Sequence, residues 1–281
     1  MNESRRAESE VIAVERDGHV AIVWLDRADK RNAMAHEFWV DLPDLFDDLS
    51  RDDAVRAVVI AARGPAFTVG IDLVAFGADL AAGAFGETMA NDVAARRAFK
   101  DMLERMQRTF SAVADCTKPV IAAVHGYCLG AGVDLISACD IRLAAADAVF
   151  SVRETRMAMV ADVGTLQRLP TILDPGTLAE LVFTGRDVGA DEAQSVGLVS
   201  RVYPDAATTV EEAVRLAREI AANSPLAVQG AKAVLRARRR SGEREGLEHV
   251  ALWNSAFFHS NDLAEAIRAF MEKRTPDFDG S

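Results

Sequence analysis

Two short runs constrain this chain more than anything else in it. Residues 55–62, "VRAVVIAA", and residues 119–124, "PVIAAV", are almost continuously apolar and show no polar–apolar alternation. They are short for helices and rich in β-branched side chains, so they read as strands buried on both faces. Strands of that kind need other layers to cover them, which argues for an α/β or α+β fold with a layered core. Each run leads into a loop punctuated by glycine: "RGPAFTVGIDL" at 63–73 and "HGYCLGAGVDL" at 125–135.

The flanking sequence fits such a frame. Residues 11–25 read as two strands around a turn at Asp17-Gly18. "RADKRNAM" is a loop, and a helix follows over 35–49 with Pro43 as a site for a kink. Residues 76–86 are Ala/Gly-rich and carry no clear pattern; a long helix is predicted over 88–115. "YCLGAG" reads as a loop, "VDLISAC" as a turn or two of helix, and "IRLAA", "AVFSV" and "GLVSRVY" as strands. From 206 to about 272 the pattern is helical, with breaks at Asn223-Ser224-Pro225, Ser241-Gly242 and Ser260-Asn261. The expected division is a strand-and-helix core over 1–205 and a helical region over 206–281, either a second domain or an oligomer contact.

Composition narrows the function. A formal net charge of −11 argues against a general nucleic-acid binder. The stretch "RARRR" at 236–240 reads as a solvated helix face, or as an attraction for phosphates. Cys116, Cys128 and Cys139 lack metal-finger spacing and read as buried free thiols; the five histidines read as structural or exposed, and no metal site is expected. The run from Val120 is broken by His125 and Asp134 and is too short to span a bilayer, so no membrane partner is expected. The first residues form no signal peptide, and "DFDGS" is not a peroxisomal address, so a cytoplasmic location is expected.

Three acids are candidates for chemistry. Glu154 and Asp162 lie eight residues apart in a largely small and apolar segment. One helix would separate them by about 12 Å of rise, one strand by about 26 Å; they meet only if the chain turns between them. Asp134 opens the helix after the second glycine loop and could simply balance that helix's dipole. Asp162 could simply cap "VGTLQRL", and Asp140 and Arg142 read as a structural ion pair. The two loops could be tight turns, or could aim two backbone N–H groups at one point as an oxyanion hole.

The loop "AFTVGIDL", the segment "KPVIAAVHGYCLGAGVDLISACDIRLAAADAVFSVRE" and the ending "FMEKRTPDF" together resemble the crotonase (enoyl-CoA hydratase/isomerase) superfamily, over residues 11–278. The resemblance implies a spiral of ββα units with a C-terminal helical trimerisation region, assembled as a homotrimer or a homohexamer. It implies an acyl-CoA thioester substrate whose enolate is held by the backbone N–H groups of Ile71 and Ala131. It implies coenzyme A contacts at Ala33, Ala66, Phe67, Phe270 and Lys273, where Phe270 could equally be helix packing and Lys273 a solvated face. No separate cofactor is implied, since coenzyme A belongs to the substrate. Asp134, Glu154 and Asp162 fall where Δ3,5-Δ2,4-dienoyl-CoA isomerases carry Asp, Glu and Asp, which makes these three the expected catalytic set. An enoyl-CoA hydratase with a shortened first acid and a non-catalytic acyl-CoA binder are the alternatives.

Overall fold

Residues 9–79, 93–237, 245, 247–248, 250–252, 254–255 and 260–277 are described in the computed structural model. A six-stranded sheet runs in the order β1 (Ile12–Asp17), β2 (Val20–Leu25), β3 (Ala57–Ala62), β4 (Val120–Val124), β6 (Ile141–Ala145), β9 (Arg201–Tyr203). The first pair is the expected antiparallel hairpin and every later pair is parallel. A second, small sheet has the order β5 (Tyr127–Leu129), β7 (Val149–Ser151), β8 (Val188–Gly189).

The two sheets climb together. β4 leads directly into β5 and β6 into β7, while Thr68, just after β3, bridges to Cys128 of β5. Each turn of chain therefore gives one strand to the large sheet and one short strand or bridge to the small one. Helices α1 (His36–Arg51), α2 (Leu73–Asp79), α3 (Val93–Asp115) and α4 (Ala131–Ala138) fill the returns. Beyond them come α5 (Thr165–Arg168), α6 (Pro175–Thr184) and α7 (Ala190–Ser195). α8 (Ala206–Ala221), α9 (Pro225–Ala237) and α10 (Asn261–Glu272) follow β9. This is the ββα spiral that the resemblance implied.

The two-faced apolar runs now have a cause. Val58, Ile60 and Ala62 of β3 face the main core with α1 and α3, while Ala57, Val59 and Ala61 face α8. Small side chains on that second face meet Ala213 and Ala217, so α8 lies close against the sheet. Pro43 sits inside α1 and cannot donate to the Trp39 carbonyl. The Thr109 hydroxyl of α3 donates to that oxygen instead, at 3.1 Å, so the half-buried Trp39 carbonyl is satisfied from a neighbouring helix.

Some elements differ from expectation. Residues 127–129, read as loop, form β5, because their pairing comes from Thr68 and β7 rather than from local sequence. Asp140 takes Lys232 of α9 as its partner at 2.6 Å, and Arg142 donates to the carbonyls of Leu198 and Cys139. All three cysteines are buried and free. Residues 80–92, including the start of the predicted 88–115 helix, the break at Ser241-Gly242 and residues 238–240 of "RARRR" lie outside the described residues. Arg236, at the end of α9, pairs with Asp115.

Candidate active site

The two glycine loops come together beside a cavity of about 480 Å³ lined by Ile71, Ala131 and Glu154, and by Ala33 and Phe270. Asn32 ties the first loop in place. Its Oδ1 accepts from the Arg27 N–H, and its Nδ2 donates to the carbonyls of Arg63 and Ala66. Met34 pairs with the same loop: its N–H donates to the Gly70 carbonyl, and its carbonyl accepts from Asp72. That bridge uses the groups on either side of Ile71, so the Ile71 N–H faces the opposite edge, where the cavity lies. Ala131 is the first residue of α4, a position whose N–H has no intrahelical acceptor. Among the described residues neither N–H has a hydrogen-bond partner.

Two glycines set the distance between these donors. A Cβ built on Gly70, whose φ is +86°, would lie 2.7 Å from the Leu129 carbonyl oxygen and 3.5 Å from the Ala131 nitrogen. Only a residue without a side chain lets the loops approach that closely. A Cβ on Gly130, with φ +52°, would lie 3.5 Å from Glu154 Oε1. The carboxyl group of Glu154 therefore stands next to the residue that precedes the second donor.

The acids are enclosed. Glu154 begins a short 3-10 turn, Glu154–Met157, directly after β7, and its Oε2 is buried without a hydrogen-bond partner. Burial first, then the charges of Asp134 and Asp162, push its carboxyl up to about 8. Asp134 is 0% exposed and stands behind the cavity wall. Its Oδ1 accepts from the Thr165 N–H at 2.5 Å, so Asp134 supplies the capping interaction at the start of α5. Burial raises Asp134 to about 6, against the Thr165 bond and the Arg168 charge. Asp162 is not the cap it could have been; its Oδ2 accepts from Asn254 Nδ2 at 2.6 Å. Burial raises it to about 7, with Asn254 opposing and Asp134 adding to the rise. The chain does turn between Glu154 and Asp162, and their charges interact, although Asp162 stands outside the cavity lining.

The expected coenzyme contacts divide. Ala33 and the half-exposed Phe270 line the cavity. Ala66 and Phe67 are buried away from it, Phe67 in the main core. Lys273 ends α10 in a left-handed conformation at the surface. Sequence reasoning passed over Asn32, Thr165 and Asn254, which hold the loops and the acids; their spacing carries no motif. It also passed over the basic cavity rim of Lys30, Arg31, Arg153 and Arg156. The runs "DKR" and "RETR" could have signalled that rim.

A spiral of strand–strand–helix turns, with two unpartnered backbone N–H groups and the buried carboxyl of Glu154 at one cavity, is the arrangement that the crotonase resemblance implied. The chain belongs to the enoyl-CoA hydratase/isomerase family, whose pattern matches residues 15–281. Similar relatives include the mitochondrial Δ(3,5)-Δ(2,4)-dienoyl-CoA isomerase of Rattus norvegicus, 44% identical over 91% of this chain and 77% of that protein. The Homo sapiens protein of the same name is 45% identical over the same shares. The peroxisomal one of Arabidopsis thaliana is 38% identical over 96% of each chain. Among solved structures, carnitinyl-CoA hydratase from Mycobacterium avium has a TM-score of 0.81 and 30% identity, covering 97% of this chain and 99% of that one. These relatives correct the expected cytoplasmic location, since their names place them in mitochondria or peroxisomes.

Proposed function

We propose that the protein isomerises 3,5-dienoyl-CoA to 2,4-dienoyl-CoA in fatty-acid degradation. The observation that carries this reading is Glu154 beside the two unpartnered N–H groups of Ile71 and Ala131, with buried Asp134 and Asp162 close enough for their charges to act on it. The names of the relatives support it.

The reaction breaks a C–H bond at C2 and forms one at C6, four bonds further along the chain. Glu154, next to the donors that would hold the thioester oxygen, takes the C2 proton. The electron pair left on C2 is shared with that oxygen and, through the two double bonds, with C4 and C6; the Ile71 and Ala131 N–H groups stabilise the negative charge on the oxygen, and each such donor is worth about 2.7–4 kcal/mol in comparable sites. Asp162 gives its proton to C6, and the C2=C3 and C4=C5 bonds result. Asp134 raises the proton affinity of both partners by its charge. Burial raises both Glu154 and Asp162 into the neutral range, to about 8 and about 7, so either carboxyl can hold the proton near neutral pH. No cofactor enters beyond the coenzyme A of the substrate.

Ala33 and Phe270 would contact that coenzyme, with Lys30 and Arg31 near its phosphates; Ala66 and Phe67 would contribute through backbone alone, and Lys273 from the surface. Residues 206–281 would form the oligomerising region over the 1–205 core, as a homotrimer or homohexamer. Leu226, Val234 and Leu235 of α9 are exposed apolar residues suited to that contact. A hydratase needs two acids on one water, and Asp134 is enclosed and engaged by Thr165, which disfavours that alternative.

Incubation with 3,5-dienoyl-CoA should produce the absorbance of a conjugated 2,4-dienoyl thioester, with slow or no hydration of 2-enoyl-CoA. Rapid hydration without the diene band would overturn the assignment. Asp162→Asn should lower turnover by several orders of magnitude and leave coenzyme A binding within about twofold.

A further inference from the structure

Asn254 belongs to the helical residues around 245–255, and it is buried. Its Nδ2 makes two contacts, 3.0 Å to the Val160 carbonyl and 2.6 Å to Asp162 Oδ2. A carbonyl oxygen can only accept, so the amide cannot be turned round without setting two oxygens against each other. The nitrogen must face Val160, and its second hydrogen is then directed at Oδ2. The segment around it is pinned from the other side as well. Gln107 of α3 donates to the Asp162 main-chain carbonyl at 2.8 Å and to the Leu247 carbonyl at 3.1 Å. Phe99 and Leu103 of α3 pack with Ala251 and with Leu263 of α10, which fixes the helical residues that carry Asn254. The carboxyl thus has little freedom to exchange its two oxygens.

We propose that Asn254 is a positioning residue that makes Asp162 Oδ2 a permanent acceptor, so that the proton Asp162 takes up and gives away is carried on Oδ1. A carboxyl free to rotate would present its proton on either oxygen, and half of those arrangements would aim it at the amide. The fixed amide removes that choice. It also favours the ionised carboxylate, against the burial of the site and the negative charges that face it, Asp134 of α4 and Glu154 of the 3-10 turn. Asp162 can then release a proton to carbon rather than hold it. The catalytic part of this inference rests on the isomerase reading above; the oxygen assignment does not.

The oxygen assignment is testable in the unmodified protein by infrared spectroscopy with 13C-labelled aspartate. The carbonyl band of protonated Asp162 is identified by its loss in Asp162→Asn. It should lie at the lowered frequency of a hydrogen-bonded carbonyl, because Oδ2 still accepts from Asn254. In Asn254→Leu, which keeps the approximate shape without the donor, the band should move to higher frequency. The Asp162 titration should rise by about one to two pH units. Turnover of 3,5-dienoyl-CoA should fall at least tenfold with KM within about twofold, and its pH profile should move with the titration. A wild-type band at the unbonded position would overturn the proposal. So would an Asn254→Leu variant that loses turnover with the band and the titration unmoved, which would leave Asn254 a packing residue. If the protein lacked isomerase activity, the infrared arm would still decide the oxygen, while the turnover arm would fail together with the functional reading.

Discussion

Replacing Glu154 by Gln should make the protein more stable at alkaline pH while abolishing isomerisation. The unfolded chain holds this carboxyl at its ordinary 4.5, and the folded site raises it to about 8 through burial and the charges of Asp134 and Asp162. The folded state therefore binds the proton more tightly than the unfolded state. Its contribution to stability is fully present below about pH 4.5 and is lost progressively as the pH rises towards 8. Above that range the ionised carboxylate costs the fold at most about 5 kcal/mol. Part of this cost is relieved by relaxation and water entry around the charge, so about 2–3 kcal/mol is expected at pH 9. At pH 5 the wild-type side chain is protonated and has the same shape as the amide, and the two proteins should be nearly equal. Urea unfolding at pH 5, 7 and 9, followed by circular dichroism, reads the difference directly. A gain that is as large at pH 5 as at pH 9 would mean that something other than the buried charge is responsible. No gain at pH 9 would mean that Glu154 is hydrated in solution, and the argument for its raised proton affinity would fail.

Isomerase activity should follow a bell-shaped pH profile. It falls below about pH 7 as Glu154 and Asp162 both hold protons, and falls above about pH 8 as both lose them; a flat profile over that range would contradict a two-acid transfer. Gly70→Ala places a Cβ 2.7 Å from the Leu129 carbonyl at a φ of +86°, forcing the two donor loops apart. Turnover should drop by about 10²-fold or more, and wild-type turnover would show that the Ile71 and Ala131 N–H groups do not act together. Lys232→Met removes the ammonium group that sits 2.6 Å from Asp140 beneath α9 and leaves that carboxylate with the Val120 N–H as donor. The variant should lose about 1–2 kcal/mol in urea titrations, with KM unchanged.

How much of this was legible in the sequence follows from how far each feature reaches along the chain. β3 and β4 were readable because burial on both faces is written into nearly every residue of the run. β5 and β8 were not, because strands of three and two residues exist only through their neighbours' edges. The same rule sorts the site. The glycine loops left tight turns and two aimed N–H groups both open; the close approach at Gly70 was legible because it needs glycine at the point of contact. The acids announced themselves by type, but their partners did not.

On local evidence Asp162 was the natural cap for the helix that follows it. The structure gives that helix Asp134, 31 residues upstream in the chain, and gives Asp162 an amide 92 residues downstream. Both exchanges have one physical origin. A carboxylate that caps the helix beside it spends its oxygens locally and stays ionised, and it is of little use as a proton carrier. By letting a distant acid satisfy Thr165, the fold leaves Asp162 a free oxygen and keeps it buried near the charge of Asp134, and both raise its proton affinity. The local reading failed at the residue where the proposed proton transfer would need the local interaction to be given up. Such a departure from the nearest hydrogen bond is therefore an argument for function at Asp162, independent of any resemblance.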